Sequence, residues 1–239
     1  MINEVPKRIQ SIDALRGLCV VLMVVHHLLY DLVAFLDAPE YLFTNPVLDV
    51  VHYLFAGMFI FLSGVSSRFS RSNVRRGLKV IGAALAITVV TYFLNMTIAF
   101  GILHFLGFAM VFYGLTGKLW EKLPQWLTPL LCILLLVLSS LWIRQTGYVE
   151  CKWLWMFGFQ YKGFYSSDYF PILPWIFVFL FGTWAGKYIR GGYLPKWFYS
   201  VSPPLLPSIG RKAFIVYLVH QSVLYGAVML VKLLFFKAG

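Results

Sequence analysis

The sequence predicts an all-α fold, a polytopic transmembrane helix bundle with about seven spans, and three observations carry that prediction. Of 239 residues, 60% are hydrophobic and only 12% charged, whereas an ordinary soluble domain has about 45–50% apolar and about 25% charged residues. The mean hydropathy of +0.79 is too high for the apolar side chains to be hidden in one core of this size. Seven stretches are long and apolar enough for a hydrocarbon layer of about 30 Å, which takes about 20 helical residues. A water-soluble globule is excluded, and residues 1–239 read as a single integral membrane domain.

The spans fall near residues 14–36, 47–67, 77–95, 98–116, 127–143, 169–188 and 212–235. The first is interrupted by Asp13, Arg16, His26, His27 and Asp31 and has no small-residue cleavage site after it, so it is expected to stay in the mature protein. The second carries Asp49 and His52 near its start, then Gly57, Ser63 and Gly64, small residues that let helices approach closely. The third closes on an Asn95-Met96-Thr97 sequon of chance character, and the fourth holds Gly101, His104 and Gly107. The fifth encloses Cys132; with Cys19 and Cys151 the cysteines number three, and neither a disulfide framework nor a zinc spacing is present. The sixth starts after Asp168 with Pro171 and Pro174, which free backbone groups that need a protein or water partner, and continues to the Gly182-x-x-x-Gly186 pair. The seventh groups Tyr217, His220 and Gln221. Between the fifth and sixth spans, segment 144–168 is rich in aromatic rings suited to the headgroup layer and is expected to lie on the membrane over a cavity. Segment 189–210, with Gly191-Gly192 and four prolines, is not one regular helix and reads as a cytoplasmic linker.

A net charge of +11 would point to nucleic acid in a soluble chain, but in a membrane chain it is the expected excess of cytoplasmic loops, so no nucleic acid partner is expected. With the N-terminus inside, 15 of the 20 Lys and Arg residues fall on the inner side, among them Lys7, Arg68, Arg71, Arg75, Arg76, Lys118 and Lys187. Only Arg144, Lys152, Lys162, Lys232 and Lys237 lie on the outer side or the last span, which favours N-in, C-out.

All five histidines, His26, His27, His52, His104 and His220, lie within spans. An ionisable side chain at membrane depth normally faces protein or a watered cavity and marks function, the bland alternative being a histidine that bonds a neighbouring helix. On the first span Asp13, Arg16, Met23, His27 and Asp31 share one face, so that His27 and Asp31 are expected to touch, the carboxylate fixing the imidazole tautomer and leaving the other nitrogen as a base. Asp13 and Arg16 read as a helix-start acid with an i,i+3 ion pair. At about 1.5 Å per residue, Asp31 and Asp49 lie near the outer surface, His52 and His104 roughly 8–10 Å below it, and His27 and His220 near the midplane. A polar cavity opening outward is the simplest reading. The basic run with Arg75 and Arg76 suits either lipid phosphates or a phosphorylated cofactor.

Several of these segments also carry a family resemblance. Arg8-Ile-Gln-Ser-Ile-Asp13-Ala-Leu-Arg16-Gly17, Phe59-Ile-Phe-Leu-Ser-Gly64, Phe100-Gly-Ile-Leu-His-Phe-Leu-Gly107, Asp168-Tyr-Phe-Pro-Ile-Leu-Pro-Trp175 and Gly210-Arg-Lys-Ala-Phe-Ile-Val-Tyr-Leu-Val-His-Gln221 resemble the heparan-alpha-glucosaminide N-acetyltransferase catalytic domain and its bacterial relatives. The resemblance covers most of the chain and implies a multi-helix acyltransferase of a bacterial plasma membrane that moves an acetyl or acyl group. The donor would be cytosolic acetyl-CoA, and the acceptor an amine or hydroxyl of a sugar or glycan on the outer side. The polar residues of the spans, and not the resemblance, assign the roles: catalytic for His27, Asp31, His104 and His220, acceptor binding for Asp49, His52, Asp168, Tyr217 and Gln221, and donor binding for Asp13, Arg16, Arg75 and Arg76, with no metal. Beyond the lipid bilayer, a homodimer is the one protein partner considered. The lysosomal enzyme has asparagine in place of His27, and its loop histidine has no counterpart among residues 32–46, so another base must serve here. A proton-linked small-solute transporter is the alternative reading, since buried His and Asp also build proton relays, and a non-catalytic scaffold is a third.

The charge bias generates a topological prediction. In a Cys151→Ser background, Arg75→Cys and Lys118→Cys should react with an impermeant thiol reagent only from the cytoplasmic side, and Lys162→Cys only from outside. Reaction of position 162 from the cytosol alone would reverse the orientation.

Overall fold

The computed structural model describes residues 8–94, 96–201 and 203–235; Lys7, the sequon residue Asn95 and Lys237 lie outside them. The chain runs through α1 (Gln10–Leu36), α2 (Pro46–Ser67), α3 (Asn73–Phe93), α4 (Ile102–Glu121), α5 (Leu127–Thr146), α6 (Ile172–Arg190), α7 (Lys196–Ser200), α8 (Leu206–Arg211) and α9 (Ala213–Phe235). Two 3-10 segments, Glu40–Leu42 and Lys152–Phe157, sit in the connections, and no strand occurs among the described residues. Seven of these helices, α1 to α6 and α9, are long and apolar enough to cross a membrane. The protein is an integral, multi-pass membrane protein, and the many exposed Leu, Val and Phe side chains are its lipid-facing surface.

Local sequence explains the helix ends. Asn45 accepts from the Leu48 amide at 2.9 Å, and Pro46 occupies the first helical position, where its missing N–H costs nothing. Ser72 accepts from the Arg75 amide, which starts α3 at Asn73, a turn earlier than apolarity alone indicates. Helix α1 ends at Asp37, in the left-handed conformation at φ 53°, with the Ala38 amide bonded to the Leu32 carbonyl at 3.2 Å.

The chain divides into two compact units, Met1–Leu62 with Gly192–Gly239, and Ser63–Gly191, the boundary falling inside α2. In the first unit α1 packs on α7, α8 and α9. Ring contacts pair His27 with His220 and Phe35 with Tyr225, advancing together, so that α1 and α9 run parallel as first and seventh spans must. In the second unit α3 and α4 are antiparallel, with Val74 beside Gly114 and Gly77 beside Gly107. The end of α2 lies on α6, where a side chain at Gly64 would overlap the Phe179 carbonyl and one at Gly186 would meet the Val65 carbonyl at 2.9 Å. Gly64, Gly107, Gly182 and Gly186 therefore mark close helix crossings, as their spacing implied.

Segment 189–210 is not one regular helix but holds two short ones, α7 and α8. It is broken by Gly191-Gly192 and its prolines, yet it is not loose: α8 lies against the first half of α1. A side chain at Gly17 would overlap the Leu206 carbonyl, and one at Gly210 would overlap the Asp13 carbonyl. The prolines are compatible with this because Pro207 sits in the first turn of α8. Ser11 also donates to the Phe198 carbonyl.

The α1–α8 contact generates a stability prediction. Gly17→Ala should lower the melting temperature of the purified protein by several degrees, because overpacking costs about 1–3 kcal/mol and the neighbour here is backbone that cannot rotate away. Gly226→Ala, on α9 with nothing within 4 Å of the added carbon, should be neutral or raise stability by up to about 1 kcal/mol. Equal melting temperatures for the two variants would show that the close approach does not limit stability.

Candidate functional site

Adjacent residues on a helix point about 100° apart, so neighbouring histidines on α1 face different partners. The His27 ring meets His220 of α9 edge to face, with centroids 4.8 Å apart. His26 instead meets His52 of α2, Nε2 to Nδ1 at 2.9 Å. The protonation sites of His27 and His220 follow from their backbone partners. His27 Nδ1 lies 2.9 Å from the Met23 carbonyl and His220 Nδ1 lies 2.7 Å from the Tyr217 carbonyl. A carbonyl only accepts, so each Nδ1 carries the proton and each Nε2 presents a lone pair in the neutral ring.

Asp31 is 0% exposed, and its Oδ1 accepts from the Gln221 side-chain amide at 2.9 Å. Among the described residues, four buried side-chain atoms have no hydrogen-bond partner: Asp31 Oδ2, His220 Nε2, Gln221 Oε1 and, at the start of α3, Asn73 Oδ1. Three of the four belong to one corner of the first unit, and with the ring assignments above all three are acceptors. Such a corner is chemically suited to a ligand group that donates several hydrogen bonds, such as an amine, a hydroxyl or a water.

The expected His27–Asp31 bond is not made. Four-residue spacing brings the two onto one face, but the nearer acceptor for His27 Nδ1 is the carbonyl one turn back, and Gln221 takes the carboxylate. Nor is Asp31 at a wet surface, because α9 covers it. Of the expected acceptor-binding set, Gln221 is at the cluster and Tyr217 holds His220 through its carbonyl, its own ring 5.6 Å from the imidazole. Asp49 is exposed in the first turn of α2, where a negative charge complements the helix dipole. His52, one turn later, turns to His26. His26 was assigned no role from sequence; its signal was the His26-His27 pair itself, two polar neighbours that one helix face cannot bury together.

His104 and Asp168 belong to the second unit. His104 Nε2 lies 3.0 Å from the Thr88 hydroxyl, which donates to the Ile98 carbonyl at 2.6 Å, and the imidazole stacks on Phe100. Because the Thr88 hydrogen goes to Ile98, the contact is a donation from Nε2–H of His104. Asp168 accepts from the Ile102 amide at 3.0 Å and so caps α4, and the chain around it pairs with residues 97–100 through Ser167–Thr97 and Phe170–Phe100 backbone bonds. This pairing delays the start of α4 to Ile102. The aromatic segment 144–168 packs here: Trp155 stacks on Phe164 and meets Phe100, and Tyr169 donates its hydroxyl to the Trp155 carbonyl. Burial pushes the Tyr169 phenol up to about 12, so it stays a donor at any physiological pH.

The expected donor-binding residues divide. Asp13 is buried in a two-sided ion pair with Arg16 at 2.8 Å and Arg8 at 2.6 Å, a structural knot at the start of α1. Arg76 reaches the Ser66 carbonyl at 3.5 Å, whereas Arg75 is exposed and its guanidinium makes no bond to the described residues. A shallow concavity in the second unit is lined by Arg68, Trp120, Glu121, Gln125, Trp184 and Lys187. It lies at the basic end of α4, about 25 Å along that helix from His104. No cluster of three or more His, Cys, Asp or Glu placed to hold a metal occurs among the described residues.

Residues 8–222 match the family model described as heparan-alpha-glucosaminide N-acetyltransferase, catalytic. The chain belongs to that family. No curated protein and no solved structure matches it. Membership in this N-acetyltransferase family gives the chain an acyltransferase-type function, and the matched stretch runs from the Arg8–Asp13 ion pair to just past Gln221.

The α4 cap separates two roles for Asp168. Asp168→Ala should destabilise the protein by about 1 kcal/mol, read by thermal melting, and Asp168→Asn should recover most of that loss because an amide oxygen still accepts from Ile102. If Asp168→Asn is as stable as the natural protein but loses transfer activity, the carboxylate acts on substrate in addition to capping.

Proposed function

We propose that the chain is one functional domain that transfers an acetyl group from cytosolic acetyl-CoA to an amine or hydroxyl of a sugar or glycan presented on the outer side. The observation that carries this reading is the corner formed by Asp31, His220 and Gln221, with three buried acceptors unpaired, inside a chain of an N-acetyltransferase family. A transporter reading accounts for the histidines but not for the family.

In the proposed reaction the acceptor's N–H or O–H groups bond to Asp31 Oδ2 and Gln221 Oε1, which turn its lone pair towards the thioester. His220 Nε2, freed by the Tyr217 carbonyl, takes the proton as the new C–N or C–O bond forms and the C–S bond breaks. The CoA thiolate then takes up a proton as it leaves. His27, stacked edge-on to His220, supports the ring and is the second base in reach. The remaining amide hydrogen of Gln221 and the Tyr217 hydroxyl are the donors for the oxyanion. Exposed cations such as Arg75 and Lys187, at the basic end of the second unit, suit the phosphates of the donor.

With labelled acetyl-CoA and a panel of amino sugars, His220→Ala should lower transfer by about 10²- to 10⁴-fold, the usual contribution of a general base. Asp31→Asn should weaken the acceptor's KM more than kcat, because it acts on a binding contact. Wild-type rates in both variants would remove this corner as the site. In proteoliposomes of one orientation, acetyl-CoA on the cytoplasmic face should label an acceptor confined to the other face; a requirement for both substrates on one face would overturn the transmembrane direction.

A further inference from the structure

Four of the five histidines lie in successive ring contact within the first unit. His220 and His27 have ring centroids 4.8 Å apart, His27 and His26 are 6.0 Å apart, and His26 and His52 are joined nitrogen to nitrogen at 2.9 Å. One end of the row is the buried His220 Nε2. The other is His52, one helical turn from the exposed Asp49 at the start of α2. Phe43 lies 4.9 Å from the His26 ring, and Phe55 lies 6.0 Å from it and 5.2 Å from the His52 ring, so the pair is flanked by aromatic rings.

We infer that this row is the route by which a proton leaves the buried site, passing from His220 and His27 to His26, then His52, and out beside Asp49. The inference rests on the transfer reading and adds to it a path for one product. An amine that enters as R–NH3⁺ loses two protons in becoming an amide; one goes to the CoA thiolate, and one remains to be discharged at every turnover. A hydroxyl acceptor loses one proton and the thiolate takes it, so no surplus arises. A base surrounded by hydrocarbon cannot hand the surplus to bulk water, and a series of imidazoles can: His220 and His27, whose Nδ1–H groups are held by carbonyls, take up and release the proton at Nε2, and His26 and His52 pass it between Nε2 and Nδ1. The 2.9 Å contact between His26 and His52 needs one proton shared by two nitrogens, the arrangement from which such a handover proceeds. The longer His27–His26 step is of a length that one water bridges. Other titratable groups beside the row are Asp31 and Tyr30 on α1, Asp49 and Tyr53 on α2, and Tyr217 on α9; Tyr53 lies 5.7 Å from His52 and Tyr217 lies 5.6 Å from His220. The bland reading of the same contact is a hydrogen bond that only ties α1 to α2.

His52→Gln separates the two, since glutamine can keep a hydrogen bond to His26 but cannot carry a proton through its side chain. In lipid nanodiscs, with acetyl-CoA and an amino-sugar acceptor, the variant should turn over about 10- to 100-fold more slowly. The rate should recover with added small buffer bases, more strongly as the buffer pKa rises, and a hydroxyl acceptor should show a much smaller loss. A wild-type rate, or a loss that no buffer relieves, overturns the proton route. A second measurement does not depend on turnover: ¹⁵N-histidine NMR of the natural protein should show His26 and His52 titrating as one coupled pair that shares a proton, and two independent titrations overturn it. If the natural protein transfers acetyl to no acceptor, the enzymatic reading falls and the proton route falls with it, whereas a protein that is active while His52→Gln keeps the wild-type rate loses the route alone.

Discussion

Hydrocarbon offers no hydrogen bonds, and this one constraint orders the placement of polar side chains along the chain. Thr88 and His104 bond each other and a carbonyl; Ser139, Ser140 and Thr116 bond back to carbonyls of their own helices; Asp13 is neutralised from two sides. Arg68 shows the rule at a helix end, donating to the Thr183 carbonyl and to Glu121 while its own carbonyl accepts from Arg190. Against this pattern, three acceptors on Asp31, His220 and Gln221 that no protein group pairs stand out.

The same constraint explains why backbone does so much of the positioning. The His27 and His220 rings are set by helix carbonyls and the start of α4 by a carboxylate from a distant loop. Glycine supplies the complementary device. Where α1 meets α8, and where α3 meets α4, main chain lies against main chain, so the elements are placed by contacts that no side-chain rotation can relax.

Much of the fold was legible because its signal is one-dimensional. Seven apolar runs of the right length specify seven helices, and small residues within them, Gly64, Gly107 and the Gly182-x-x-x-Gly186 pair, mark crossings whatever their partners. The Asp13–Arg16 pair was legible too, being local. What sequence did not reveal depends on residues far apart in the chain. Asp168 reads as a substrate ligand because it precedes two prolines whose freed backbone groups call for a protein or water partner, but its carboxylate accepts from an amide 66 positions earlier. His27 and Asp31 shared a face as spacing implied, but spacing does not say that Gln221, 190 residues on, takes the carboxylate. The prolines of segment 189–210 correctly forbade a long helix and hid two short ones. His26 went unassigned because its partner lies on another helix and period counting ranks residues by shared face.

The unpaired corner has a thermodynamic consequence for the resting protein. A buried polar atom that nothing bonds costs about 1–3 kcal/mol, and at Asp31, His220 and Gln221 no protein group supplies that bond, so these side chains cost stability that hydrocarbon side chains in their place would not. A group rich in N–H or O–H would find there acceptors that the protein does not use for its own packing. Robustness and occupancy are thus opposed at these positions: a chain tuned for the sturdiest empty bundle would fill the corner with leucine, and nothing would bind there.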